Sequence, residues 1–184
     1  MSKASSSQLL WYDNAGGSGS DNIQGIDVDD FGNVYVCGYY HQTMNLGGIS
    51  TPASNGDSAD IFVAKLSVTG EWLWVKTAGS TSSDYCYDID VDKGGNVSIT
   101  GVYYGSIQFG NDYHSSSGSY DVFVALLDTT GNWLWSESVG ASSSDYAHGV
   151  ALAESGNVYV TGYWSSGTLN FGSAGSITCG SCYS

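Results

Sequence analysis

The sequence predicts an all-β protein of the β-propeller type, with about three four-stranded antiparallel blades. Three observations lead to this fold class. One block of sequence recurs three times, glycine supplies 26 of the 184 residues while proline supplies 1, and aromatic residues (14%) outnumber charged ones (12%). Such a composition favours strands joined by glycine-containing turns. No long stretch has the 3.6-residue apolar period of a helix, so no helix is predicted.

The repeat is visible in blocks that recur at matching offsets. Each copy carries a tryptophan, a glycine, an aspartate and a Gly-Asn-Val triplet, and these are Trp11, Trp74 and Trp135, Gly16, Gly79 and Gly140, Asp21, Asp84 and Asp145, and the triplets that begin at Gly32, Gly95 and Gly156. A fixed period of this length is typical of repeat architectures. We divide the chain into a tail (1–8), repeat 1 (9–70), repeat 2 (71–131) and a truncated repeat 3 (132–184).

Each repeat predicts four short strands. In repeat 1 these are 23–28, 34–39, the Asp-Ile-Phe-Val-Ala segment from residue 60, and the Trp-Leu-Trp segment from residue 72. An Asp-x-x-Gly-Asn turn joins the first two strands and Val68-Thr69-Gly70 joins the last two, which calls for antiparallel hairpins. A longer loop is expected between the second strand and the third. A β-solenoid is the competing architecture, but its rungs are shorter and parallel.

Both ends of the sequence fall inside a blade. Tyr183-Ser184 occupy the place where the third strand of repeat 3 should begin. Residues 8–12 are the counterpart of a Trp-Leu-Trp strand without its predecessor. Closed propellers have about four to eight blades. We therefore expect an incomplete last blade, an orphaned first strand, and assembly with further blades of a larger chain or head-to-tail with copies of the same chain.

The blocks Asp-x-Phe-Val-Ala-Lys-Leu, Gly-x-Trp-Leu-Trp, Ser-x-x-Asp-Tyr and Gly-Asn-Val-Tyr-Val-x-Gly resemble the bacterial SBBP-type β-propeller repeat. The resemblance covers almost the whole chain. It implies a propeller fold and a secreted or surface-associated bacterial protein. It implies no shared catalytic residue.

The net charge of −14, from 18 acidic and 4 basic residues, excludes a nucleic acid as partner, because a polyanion would be repelled. No apolar run approaches the roughly 20 residues of a membrane span, and the first seven residues lack a signal-peptide core, so no membrane insertion is expected. The low lysine content and the Ser-, Gly- and Asn-rich composition favour an extracellular or cell-surface protein whose export signal is not in this sequence.

Acidic turns provide the first candidate site, since carboxylate oxygens suit Ca²⁺. The candidate ligands are Asp27, Asp29, Asp90 and Asp92. In the third copy Ala151 and Ala153 replace the first two of these, so the turn does not require the carboxylates. We interpret the aspartates as structural and keep calcium as the alternative; no other cofactor is expected.

Aromatic residues after the second strand provide the second candidate site. They are Tyr39, Tyr40, Tyr103, Tyr104, Tyr163 and Trp164. Recurring rings suit packing between blades, and rings beside polar residues also suit stacking against the apolar face of a sugar. Several weak sites would together bind a multivalent glycan strongly. Both interpretations remain open at this point.

Other chemistry is sparse. Cys179 and Cys182 form a lone Cys-Gly-Ser-Cys without a second pair at zinc spacing, and the disulfide state of these two and of Cys37 and Cys86 is open. The three histidines stand at non-equivalent positions, and no hydrolase motif occurs. The sequence therefore predicts a non-enzymatic extracellular or surface module for structure or interaction, with a carbohydrate-binding propeller as the alternative.

Overall fold

The computed structural model describes residues 11–165, 167–170 and 176–179. It confirms the predicted all-β fold. The described part contains fifteen strands, one 3-10 turn at Asn55–Asp57 and no α-helix. Within the described residues there is thus no helix of the length and apolarity that a membrane crossing would need.

Three successive antiparallel sheets form the blades. Blade 1 has the order β2 (Asn22–Val28), β3 (Val34–Tyr40), β6 (Asp60–Leu66) and β7 (Trp72–Ala78). Blade 2 has the order β8 (Tyr85–Val91), β9 (Val97–Phe109), β10 (Asp112–Leu127) and β11 (Trp133–Val139). Blade 3 contains β12 (Asp145–Leu152) and β13 (Val158–Trp164). The four predicted strands of each complete blade are present. Each of the two four-stranded sheets ends on its Trp-Leu-Trp strand, whereas our repeat bounds begin there; those bounds stay a prediction.

The connection between the second and third strands is longer, as expected, but it also contains a hairpin that was not predicted. In blade 1, β4 (Met44–Leu46) pairs with β5 (Ile49–Ser50) and also with β1 (Ala15–Gly17). In blade 2, β9 and β10 continue to pair around Gly110. After β13, β14 (Gly167–Asn170) pairs with β15 (Ser176–Cys179). In the first two hairpins an apolar residue is followed by a glycine with positive φ, 56° at Gly47 and 59° at Gly110. This recurring apolar–glycine pair was the signal that sequence reasoning missed.

One turn geometry recurs at five places, beginning at Asp29, Ser67, Asp92, Asp128 and Ala153. The first residue of each turn donates its backbone N–H to the carbonyl of the residue four positions later. A glycine three positions after the first residue, with φ between 81° and 86°, donates its N–H to the carbonyl of the first residue. In the aspartate copies the carboxylate also accepts the backbone and side-chain N–H groups of the turn asparagine. At Ala153 the backbone bonds alone form the turn.

The hydrophobic core lies between the blades. One cluster joins blade 1 to blade 2 and includes Tyr35, Ile61 and Val63 from blade 1 and Ile99 and Phe123 from blade 2. A second cluster covers the other face of blade 1 with the β4 hairpin and with the rings of Trp11 and Trp72. A blade therefore buries its apolar side chains against a neighbour, as expected for stacked repeats.

A tryptophan–glycine contact repeats from blade to blade. The Trp74 Nε1 donates to the Thr129 carbonyl (3.3 Å), and the Trp74 ring covers Gly131 of the blade 2 turn. The Trp11 Nε1 donates to the Val68 carbonyl (3.0 Å), and its ring covers Gly70 in the same way. Trp11 therefore takes the place of the outer-strand tryptophan of a preceding blade. Residues 8–10 of the orphaned strand predicted at 8–12 lie outside the described residues, and Trp11 and Tyr12 are not part of a strand, so that strand stays a prediction.

Gly131→Ala should destabilise the protein by about 3 kcal/mol, because the strain of a positive φ (about 1–2 kcal/mol) adds to overpacking of the junction. The new methyl group would lie 2.8 Å from Lys76 Cε and 3.0 Å from Trp74 Cδ2. Gly156→Ala is the matched control, since it has the same φ and nothing within 4 Å, and should cost only the strain. Urea unfolding measures both variants. Equal losses would show that the tryptophan–glycine contact does not hold the blades together.

Candidate functional site

The outer edge of β13 is the most unusual surface of the described residues. There β13 pairs with β12 alone, whereas its counterparts β3 and β9 each lie between two strands. The side chain of Val160 is 39% exposed, while the equivalent Val36 and Ile99 are 4% and 0% exposed. One strand of the repeat is thus core in two blades and surface in the third. We call the unpaired side of β13 the open edge.

A groove of about 400 Å³ lies beside the open edge, between blade 2 and β13. Its lining is mostly apolar and includes Val122, Val124, Val139, Val158, Val160 and Gly162. In blade 2 the ring of Phe123 on β10 covers Gly101, with its Cε1 2.9 Å from the place of a Cβ on that glycine. Gly162 is the counterpart of Gly101 on β13. The groove therefore has the position that the third strand and its phenylalanine occupy in blade 2.

The opposite end of the stack also exposes an apolar strip, on β2. Ile26 is 67% exposed, whereas the equivalent Ile89 on β8 is 4% exposed and lies in the core between blades 1 and 2. Ile23 and Val28 are half exposed beside it. Blade 1 thus presents the face that the next blade along the chain uses for stacking.

The four candidate calcium ligands have structural hydrogen bonds. Asp29 and Asp92 accept N–H groups of their own turns. Burial acts to raise the pKa of Asp29, but its hydrogen bonds outweigh burial and hold the pKa below its usual value. No group of three or more His, Cys, Asp or Glu side chains is arranged to hold a metal ion in the part of the chain that is described. Calcium stays a prediction without a coordination sphere to support it.

Asp27 and Asp90 connect the inner strands of neighbouring blades. The Asp27 Oδ2 accepts the N–H of Val91 (2.8 Å), and the Asp90 Oδ2 accepts the N–H of Leu152 (2.5 Å). Burial raises the pKa of Asp90, and its hydrogen bond with Asp27 raises it further. Ala151 stands at this position in blade 3, so the series of carboxylate links ends there.

The six candidate aromatic residues divide into buried and exposed ones. Tyr40 and Tyr103 are fully buried. The Tyr103 hydroxyl forms a 2.6 Å hydrogen bond with Ser138 on β11. Burial raises the pKa of Tyr103 to about 12. These two rings pack inside the blades and are not available to a ligand. Trp164 is half-buried, as is Tyr39, while Tyr104 and Tyr163 are 45% and 41% exposed.

The accessible rings belong to a larger set, which we call the aromatic arc. Nine rings from three blades form one continuous chain of contacts with centroid distances of 4.9 to 6.3 Å, and they are Tyr39, His41, Tyr85, Tyr87, Tyr104, Tyr120, Tyr146, His148 and Tyr163. All nine are partly or largely exposed. Sequence reasoning missed Tyr85, Tyr120 and Tyr146, although each is adjacent to a recurring aspartate.

Those aspartates form buried pairs at the junctions between blades. Asp60 and Asp84 belong to the first junction, Asp121 and Asp145 to the second, and all four are at most 4% exposed. Asp84 accepts the N–H groups of Ser80 (2.8 Å) and Tyr104 (3.2 Å). Burial raises the pKa of Asp60 to about 6, and burial together with the charge of Asp60 raises the pKa of Asp84 to about 8. Asp60 and Asp84 therefore bind protons more tightly in the folded protein than in the unfolded chain.

We expect the free energy of unfolding to fall as the pH rises from about 4 to about 8. The folded-state pKa values lie above the unfolded value of 3.8, so this stabilisation is full below about pH 4 and is lost through pH 6 and pH 8. Asp60 alone contributes about 3 kcal/mol, since one pKa unit corresponds to about 1.4 kcal/mol. Urea unfolding across this range measures the slope.

Asp84→Asn should flatten the limb of that profile between pH 6 and pH 8, because the titrating carboxyl group is removed. Asp21→Asn, at the equivalent but half-buried position of blade 1, is the control and should keep the slope. If the Asp84→Asn variant keeps the same slope between pH 6 and pH 8, the raised pKa of Asp84 is not the cause of that slope.

The structure brings one histidine beside a serine and an aspartate. The Nε2 of His114 lies 2.8 Å from the Ser136 Oγ, and that hydroxyl donates to the Asp112 Oδ2 (3.3 Å). Hydrolase triads place the histidine between the serine and the aspartate. Here the serine stands in the middle and is buried, so the order of hydrogen bonds is not that of a triad.

Comparison with known proteins agrees with this architecture. Residues 15–39 match the model of the SBBP family, the beta-propeller repeat. The chain is also similar to a WD repeat-containing protein of Acanthamoeba polyphaga mimivirus, with 23% identity; the alignment covers 89% of this chain and 14% of that relative. The chain thus spans a small part of the relative's length. The family match confirms the resemblance to the SBBP propeller repeat.

Proposed function

We propose that this chain is a non-enzymatic structural and interaction module, extracellular or on a cell surface, that assembles with further propeller blades through the open edge. The exposure of β13 carries the proposal, because the same strand is buried in blades 1 and 2. Exposed strand edges pair readily with other strands. The propeller-repeat match and the WD-repeat relative support an interaction module as the general class.

The occupant of the groove is a third and fourth strand of the repeat's own type. In blade 1 the register pairs Tyr40 with Asp60 and Gly38 with Phe62. Applied to β13, this register places an incoming aspartate opposite Trp164 and an incoming phenylalanine over Gly162. The phenylalanine side chain would then enter the apolar groove beside Val122 and Val124.

The exposed strip on β2 supports assembly in one direction. A completed blade 3 would present the kind of face that blades 1 and 2 bury, and Ile23, Ile26 and Val28 form the kind of face that stacks on it. The face of a completed blade 3 and the strip on β2 are different surfaces, so a contact between them in two copies of the chain is heterologous. Such contacts form rings or filaments, depending on whether the rotation closes.

A synthetic hairpin of residues 59–78, added to the full-length chain, should bind in a saturable manner. The hairpin with Phe62→Ala should bind more than about tenfold more weakly, because the largest apolar contact is lost. Val160→Asp in the protein should abolish binding, since it introduces a carboxylate into the groove. Leu134→Asp, at an exposed position outside the groove, is the control. Isothermal titration calorimetry measures all four combinations.

Equal affinity of the two hairpins, or binding that survives Val160→Asp, would refute the open edge as the docking site. A folded protein that binds neither hairpin would do the same.

Carbohydrate binding is the second candidate, and the aromatic arc favours it. Nine partly exposed rings cross three blades without interruption. Flat rings stack on the apolar faces of sugars, and a row of them would engage several units of one chain. The net charge of −14 favours a neutral glycan over an acidic one.

Binding to immobilised neutral polysaccharides should fall at least about tenfold on Tyr104→Ala and Tyr163→Ala together, because each lost stacking contact weakens a multivalent interaction. Tyr113→Ala removes a ring that is more exposed (63%) and lies outside the arc, and this variant should bind as the parent does. A glycan array with no signal for the parent protein would remove this candidate, whereas the blade-assembly proposal would be unaffected.

A further inference from the structure

Cys37 and Cys86 meet at the junction between blade 1 and blade 2. Cys37 lies on β3, Cys86 lies on β8, and both are fully buried in one hydrophobic cluster. Burial raises the pKa of the Cys86 thiol, and a hydrogen bond with Cys37 and the charge of Cys37 raise it further. The two side chains belong to the same cluster, on strands β3 and β8 that contact each other across the junction, and both are free thiols in this structure.

A glycine holds the two blades close at this point. Gly25 on β2 pairs with Cys37 on β3. A Cβ on Gly25 would lie 3.1 Å from the Cys37 Sγ and 2.9 Å from the Ile89 Cγ2 of blade 2. Without that carbon the hairpin of blade 1 approaches β8, the strand that carries Cys86.

Packing alone does not require sulfur here. The equivalent positions at the junction of blades 2 and 3 are Thr100 and Ala147. The Thr100 Oγ1 donates to the Phe123 carbonyl (2.7 Å), and Ala147 is fully buried. The repeat thus forms the same junction with a threonine and an alanine. A pair of thiols can be oxidised, whereas the threonine and alanine of the second junction cannot.

We propose that Cys37 and Cys86 form a disulfide bond that covalently joins blade 1 to blade 2 when the chain folds in an oxidising environment. The two thiols lose two protons and two electrons as the S–S bond forms. A small-molecule disulfide such as oxidised glutathione takes up the electrons and protons and is cleaved to two thiols. Because both side chains are buried, the exchange takes place during folding, before the junction closes. The bond is independent of the open edge.

The test uses the full-length chain with Cys179→Ser and Cys182→Ser, so that Cys37 and Cys86 are the only thiols. The reduced, unfolded protein is refolded in a buffer of oxidised and reduced glutathione. Non-reducing peptide mapping should find a peptide linked through Cys37 and Cys86. The linked protein should unfold at a temperature roughly 10 °C above that of the reduced protein, because the bond closes a long loop.

The matched control is Cys37→Thr with Cys86→Ala, which copies the second junction. It should fold, and its unfolding temperature should not respond to reductant. The proposal is overturned if the refolded protein keeps both thiols free to alkylation in denaturant, or if the linked form unfolds at a lower temperature than the reduced one. The proposal is also overturned if the protein with Cys179→Ser and Cys182→Ser folds under reducing conditions but fails to refold in the glutathione buffer.

Discussion

The structure depends on one constraint: a four-stranded sheet with apolar side chains on both faces must stack on another sheet. Blade 1 meets this constraint on one side with blade 2 and on the other with the β4 hairpin and two tryptophan rings. Blade 2 meets it with blade 1 and with the half-blade β12–β13. The repeated features at the junctions all serve this stacking, and the places where stacking is incomplete are the surfaces to which we assign function.

Acidic side chains have an unexpected part in the stacking. A net charge of −14 suggests a solvated, repelling surface, yet many aspartates face inward. Asp29, Asp92 and Asp128 satisfy turn amides, Asp27 and Asp90 bond to the next blade, and Asp84 and Asp145 are buried at junctions. Each of these carboxylates accepts at least one backbone N–H group. The cost of burying carboxylates appears as raised pKa values, and therefore as dependence of stability on pH.

Much of the fold could be predicted from the sequence, because its information is local and repeated. The Gly-Asn turns, the Trp-Leu-Trp strand and the Asp-x-Phe-Val-Ala strand each determine an element without reference to distant residues. Comparison of the copies was also informative: Ala153 correctly indicated that the turn does not need a carboxylate. The hairpin at Gly47 was missed because its two strands are only three and two residues long.

The surfaces were less predictable, since they depend on which residues meet across a junction. Tyr40 and Tyr104 both belong to aromatic clusters that follow the second strand, yet one is buried and the other exposed, because the strand register places them on different sides. The aromatic arc requires the contact between Tyr120 and Tyr146 of neighbouring blades. The pairing of Cys37 with Cys86 likewise joins residues on different blades. No pattern within one strand contains that information.

Amide hydrogen exchange can show whether the open edge of β13 is unpaired in solution. The full-length chain is diluted until its mass in solution is that of one chain. The amides of β13 should then exchange much faster than those of β3 and β9, because among the described strands β13 pairs only with β12. Protection of β13 equal to that of β9 under these conditions would contradict the claim, since it would mean that the edge is already paired.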